Sequence, residues 1–176
     1  MPLPDPPVDI PSDWESDAEL RDGRLCRVRP VRPDDAVRLQ EFHRQLSPET
    51  IFHRFFAPYP TLGRRDAAHF TVVDYVDRVA LVALVDDAII GVTRYELMAG
   101  TTAEVAFVVR DDYQGRGLGT ILLHRIVAAA RDRGIKRFVA EVLPDNRRML
   151  SLIRNSGYPM RTSSEEDVLR VDFDIV

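Results

Sequence analysis

Three glycines at alternate positions, Gly115, Gly117 and Gly119, lie between a strand-like segment and a strongly helical one. Before them, residues 102–109 read as a strand ending in Phe107-Val108-Val109. After them, Leu118, Ile121, Leu122, Ile126, Val127 and Ala130 recur at helical spacing until Gly134 ends the pattern. The first amides of a helix have no carbonyl partner within it, and the helix dipole makes that end positive. Glycines there keep side chains away from an approaching anion and permit unusual backbone angles. Residues Gln114, Gly115, Arg116, Gly117, Leu118, Gly119 and Thr120 therefore form a cradle suited to a pyrophosphate. Two other phosphate loops fail on spacing. The dinucleotide fingerprint needs Gly-x-Gly-x-x-Gly, and the triphosphate loop needs a Gly-Lys-Ser/Thr that this segment lacks. A tight turn alone requires one such glycine rather than three.

The rest of the chain supplies a sheet and its cover. Residues 24–31 alternate as a first strand. Pro33-Asp34-Asp35 opens an amphipathic helix with Val37, Leu39, Phe42 and Leu46, since proline and acids suit a helix start. Ser47-Pro48-Glu49 restarts a short helix, and another follows over residues 64–72. Residues 79–85 are a nearly continuous apolar run, Asp86-Asp87 turns the chain, and residues 88–97 form the antiparallel partner. Beyond the glycine loop and its helix come a strand at 137–143, a helix at 145–155 and a last strand at 168–176. This order predicts a mixed α/β sheet covered by helices. No repeat or linker divides it, so residues 17–176 read as one domain. Residues 1–16, rich in Pro and Asp, read as a flexible tail.

Composition removes several function classes. A net charge of −4 argues against general nucleic-acid binding, which needs a basic footprint. No run of about 18 apolar residues is present to span a membrane. The amino terminus has acids and prolines where a secretory signal needs a basic patch and an apolar stretch, so a cytoplasmic location is expected. Cys26 is the single cysteine, which rules out an intrachain disulfide and a multi-cysteine metal cluster. His43, His53, His69 and His124 show no ligand spacing, and no metal is expected.

Gln114-Gly115-Arg116-Gly117-Leu118-Gly119 matches the Gln/Arg-x-x-Gly-x-Gly/Ala signature of the GNAT superfamily of N-acetyltransferases. The strand 137–142 followed by Asn146, and the closing Asn155-Ser156-Gly157-Tyr158, fit that family's order. The resemblance implies an α/β (α+β) fold with a mixed, mostly antiparallel sheet of about six to seven strands flanked by helices. It also implies acetyl-CoA as co-substrate. The strand before the loop would splay from its parallel neighbour and admit pantetheine like an extra strand. Phe107, Val108 and Val109 would then bond pantetheine through their backbone, one amide polarising the thioester carbonyl. Asn146 would face the pantetheine arm; a plain helix cap in Pro144-Asp145-Asn146 is the other reading.

Transfer to an ammonium requires a base, and Glu104 is the acid on the strand leading into this site. A carboxyl in a small, apolar strand has its pKa raised by desolvation, which suits that role; a residue merely facing solvent is the alternative. Glu96 and Glu141, on neighbouring strands, are lesser candidates. Many members of the family carry a tyrosine acid four residues before the Gly-aromatic pair, but that position here is Ile153. Either the thiolate leaves unaided or a residue elsewhere supplies the proton.

Trp14-Glu15, Leu20-Arg21-Asp22-Gly23, residues 28–35 and Leu46-Ser47-Pro48-Glu49-Thr50 with Arg54-Phe55-Phe56 resemble the Pat-type protein lysine acetyltransferases. That likeness implies a protein lysine as acceptor, in an acyl-CoA synthetase such as acetyl-CoA synthetase, with Glu104 as base. Many Pat enzymes carry a regulatory domain for which this chain has no room. A small amine is the alternative acceptor, with Asp74, Asp77, Asp86 and Asp87 available as its carboxylates or simply as turn residues. A sensory module that binds acetyl-CoA without turnover is the third reading. Phe52, Phe55, Phe56 and Tyr59 either pack the core or shape an acceptor groove.

Overall fold

A computed structural model describes residues 9–176; the first half of the expected tail lies outside the described residues. The chain runs β1 (Ser16–Glu19), β2 (Leu25–Pro30), α1 (Ala36–Arg44), α2 (Pro48–Phe55), α3 (Arg64–Thr71), β3 (Arg78–Val85) and β4 (Ala88–Ala99). It continues through β5 (Thr102–Val109), α4 (Leu118–Asp132), β6 (Arg137–Val142), α5 (Arg147–Arg154), β7 (Met160–Glu165) and β8 (Val168–Asp174). The strands form one sheet of 8 in the order β1-β2-β3-β4-β5-β6-β8-β7. Every pairing is antiparallel except β5 with β6.

The apolar run at β3 has its physical reason in this arrangement. Val79, Leu81 and Ala83 enter the core that includes α4, while Ala80, Val82 and Leu84 enter the one beneath α1–α3. Both faces of the strand are covered, so alternation disappears. Asp86 and Asp87 both have positive φ, 50° and 67°, the backbone of a type I′ hairpin turn. Helix α4 buries Leu118, Leu122, Leu123, Ile126, Val127, Ala129 and Ala130 on its sheet-facing stripe.

Close approach of α4 to the sheet depends on Gly91 in β4. A Cβ there would lie 3.0 Å from Leu118 Cδ2 and 3.1 Å from Leu122 Cδ1. Gly91→Val is expected to cost about 1–3 kcal/mol through overpacking. The check is a lower urea midpoint with an unchanged denaturant slope.

Two findings correct the sequence reading. The sheet has 8 strands rather than six or seven, the additional ones being the edges β1 and β7. Both are polar, Ser-Asp-Ala-Glu and Met-Arg-Thr-Ser-Ser-Glu, and solvent-facing edges show no apolar alternation. Within the expected tail, Ser12–Trp14 forms a 3-10 turn and β1 begins at Ser16. Trp14 donates its Nε1 proton to Asp132 at 2.8 Å, and the Arg133 guanidinium lies 4.7 Å from its ring centre. One large aromatic side chain thus anchors a stretch whose composition suggests none.

Candidate active site

The parallel pair β5–β6 is short. Its register covers only Thr102↔Arg137, Ala103↔Phe138 and Glu104↔Val139. Strand β5 nevertheless runs on to Val109, and β6 stays paired with β8 as far as Val142. The two strands part just beyond Glu104 and leave a fork in the middle of the sheet. Phe107 turns into the core under α4, whereas Ala106 and Val108 face the α1–α3 layer. Residues 107–109 form one arm of the fork, and Asn146 stands at the end of the other.

At the wide end of the fork, the chain makes a 3-10 turn at Asp111–Tyr113 and then enters α4 through the glycines. Gly115 and Gly117 have φ of 76° and 86°, left-handed values that favour glycine. Gly117 is the N-cap of α4, so the free amides of that helix open onto the loop. Gly119 serves packing as well: a Cβ there would touch the Leu152 side chain of α5 at 3.4 Å. Leu118 is buried in the core, and Thr120 is exposed on the first turn.

The polar side chains of the loop are engaged. Gln114 donates to the Val109 carbonyl at 3.0 Å and accepts from Arg148 of α5 at 2.8 Å, a link between the two sides of the fork. Arg116 pairs with Asp22 at 2.6 Å. Tyr113 sits among three guanidinium groups, those of Arg24, Arg110 and Arg116, 5.0–5.9 Å from its ring centre. Two of these are paired, Arg110 with Asp112 and Arg116 with Asp22, each at 2.6 Å, so the positive character that suits an anion comes from the start of α4. Sequence reasoning missed the contribution of the β1–β2 turn. The Arg21 amide donates to the Arg116 carbonyl at 2.9 Å, and its side chain packs over Gly117. The signal lay in Leu20-Arg21-Asp22-Gly23, read there only as a likeness.

Asn146 is the N-cap of α5, its Oδ1 accepting from the Met149 amide at 3.3 Å. The cap reading of this residue is thus realised. Ile153, at the expected tyrosine position, is fully buried in the core. Tyr158 stacks on Phe173 with ring centres 6.1 Å apart.

Glu104 stands at the apex of the fork. It is opposite Glu96 in the β4–β5 register, and Glu141 lies on β6. The residue is accessible to solvent, yet loss of hydration raises its pKa above the ordinary carboxylate value. The charges of Glu141 and Glu96 add to the rise, and Arg54 opposes it. Of the three acids only Glu96 has a cationic partner among the described residues, Arg78 at 3.2 Å.

Helix α2 is tied to both sides of this region. Asp111 accepts from the Ser47 amide at 2.9 Å and from the hydroxyls of Ser47 and Thr50 at 2.7 and 2.9 Å. His53 meets Asp145, the residue before Asn146, at 3.2 Å. Phe55 packs against Tyr59 and Phe70 around His43, while Phe52 is exposed. Phe56 ends the helix in a left-handed conformation.

Residues 40–158 match the family model described as acetyltransferase (GNAT) family. The chain belongs to the GNAT family of acetyltransferases. The crystal structure of the GNAT domain of S. lividans PAT is similar, with 46% identity and a TM-score of 0.89, over 94% of this chain and 99% of that one. The acetyltransferase Pat of Mycolicibacterium smegmatis is 36% identical over 145 residues, 79% of this chain and 43% of that protein. An acetyltransferase of Pseudomonas aeruginosa is 31% identical over 144 residues, 79% of this chain and 77% of that protein. The chain thus spans less than half the length of the Mycolicibacterium relative. The family and the N-acetyltransferase class expected from residues 114–119 hold. No helix among the described residues is long and apolar enough to cross a membrane.

Proposed function

We propose that this GNAT domain transfers the acetyl group of acetyl-CoA to a lysine side chain of a protein, an acyl-CoA synthetase such as acetyl-CoA synthetase. The carrying observation for the chemistry is the fork, with a carboxylate of raised pKa at its apex and a glycine-lined helix start at its wide end. The lysine acceptor rests on the resemblance to the Pat-type enzymes, with which the 46% identity to the GNAT domain of S. lividans PAT agrees.

Residues 107–109 offer backbone to an extended pantetheine, as an added strand would use it. The amides at the start of α4 receive the pyrophosphate, with Arg116 and Arg148 beside them. Glu104 takes the proton of the acceptor ammonium, and the freed lone pair attacks the thioester carbon. An amide of residues 107–109 bonds the carbonyl oxygen as it becomes an oxyanion. Collapse forms the amide bond and breaks the carbon–sulfur bond. With Ile153 in the core, the departing thiolate takes its proton from solvent.

The structure offers little to the small-amine alternative. Asp74 accepts three backbone amides of its own turn, at 2.8–2.9 Å, and Asp87 pairs with Arg38 at 2.8 Å. These acids serve the fold.

The test is label from radioactive acetyl-CoA entering acetyl-CoA synthetase, beside a form of the synthetase lacking its active-site lysine. The expected result is label in the intact synthetase alone. Absence of label in both, with acetyl-CoA still bound, overturns this acceptor.

A further inference from the structure

Beside Glu104 the fold leaves two arginines without a carboxylate. Arg54 is on α2, and Arg94 lies on β4 directly opposite Ala106 of β5. Both line the cleft formed with Phe42, Phe55, Phe70 and Val108. Neither forms an ion pair among the described residues. Arg94 donates one bond to the Phe70 carbonyl, at 3.1 Å, and its guanidinium lies 4.4 Å from the Phe70 ring centre. The Arg54 guanidinium lies 4.9 Å from the ring centre of Phe55.

Two like charges in an aromatic-lined cleft are unfavourable for folding. Each loses hydration, and they repel one another. Burial, with the charge of Arg54 next, pulls Arg94 down to about 9. Arg54 is pulled down by burial, and the charges of Glu104 and Glu96 only oppose that. An anion between the two guanidinium groups relieves their repulsion and offsets the lost hydration with planar, charge-assisted hydrogen bonds.

We propose that Arg54 and Arg94 form a subsite for a carboxylate carried by the acceptor close to its reacting amine. This rests on the reading of Glu104 as the group that receives the amine. Glu104 and Ala106 share a face of β5 two residues apart, about 7 Å along a strand. Arg94 stands across from Ala106, so an acidic side chain near the acceptor lysine spans the gap. Acceptors with an Asp or Glu beside the lysine are preferred over those with neutral flanks.

The test needs no turnover. The protein loaded with CoA is titrated calorimetrically with two blocked lysine peptides, identical except for Glu or Gln beside the lysine. The Glu peptide is expected to bind about tenfold more tightly, the size of one charged hydrogen bond. Arg54→Gln and Arg94→Gln are each expected to erase most of that ratio while melting no lower than the parent. Equal affinity for the two peptides, binding of neither, or a preference that survives both substitutions overturns the subsite.

Parallel titrations with acetyl-CoA and succinyl-CoA separate the other source of a carboxylate. An arginine-dependent preference for succinyl-CoA, with none between the peptides, moves the anion to the acyl group and overturns the acceptor assignment. An arginine-dependent Glu preference without acetyl transfer upholds the subsite and rejects lysine acetylation instead.

Discussion

Glu104→Gln is expected to lower kcat/KM for acetyl transfer by about 10²–10⁴-fold, the usual worth of a positioned base. Glutamine keeps the shape and hydrogen-bonding reach of the side chain but cannot take a proton. Steady-state kinetics over a pH series give the fuller check. In the parent, kcat/KM rises with pH through a pKa above the ordinary carboxylate value, because burial, Glu141 and Glu96 disfavour the charged form. In the variant that limb disappears. Full activity in the glutamine form would remove Glu104 from the mechanism.

The same shift sets a stability outcome of opposite sign. A carboxyl whose pKa is higher in the folded chain binds protons more tightly there than in the unfolded chain. Its contribution to stability is greatest below the unfolded pKa and is lost as pH rises through the folded one. At neutral pH the Glu104 charge therefore works against folding, and Glu104→Gln melts no lower than the parent. An inactive protein that is equally or more stable separates a chemical role from a structural one.

Asp35→Ala is expected to have the largest effect on stability, a loss of about 3–5 kcal/mol, read as a fall in denaturant midpoint or Tm. Asp35 is fully buried and holds Arg29, itself 6% exposed, through two hydrogen bonds of 2.8 Å. It also accepts from the Arg32 amide at 2.8 Å, closing the turn that starts α1. Removing the carboxylate leaves the Arg29 charge buried with, among the described residues, only the Pro30 carbonyl at 3.0 Å to satisfy it. Replacing both members by apolar residues, as in Arg29→Met with Asp35→Leu, is expected to recover much of the loss. A small effect of Asp35→Ala would mean that water reaches Arg29.

What the sequence made legible follows from where each residue sits. The β3–β4 hairpin was plain because both faces of β3 are covered and two aspartates make its turn. Helix α4 was plain because its apolar stripe is long and Gly134 follows it. The edges β1 and β7 were not, since a strand that buries little carries no period. Glu104 stood out as an acid among small apolar residues, with Glu96 and Glu141 on neighbouring strands, but the rise in its pKa from their charges depends on how distant segments pair. The fork leaves no trace in periodicity, because it is a place where two ordinary strands cease to bond. Likewise Arg54 and Arg94 lie 40 positions apart, and only the packing of α2 over β4 and β5 brings their charges into one cleft.

The polar edges have a consequence for how the sheet meets other chains. A strand edge is a template on which foreign peptide can polymerise, and long apolar edges invite aggregation. Here β1 is only four residues long, and β7 is exposed at every position except Met160. Neither end invites growth. Where β5 and β6 diverge beyond Glu104, a further stretch of strand edge goes without a strand partner, but it lies inside the sheet between neighbours rather than at a rim.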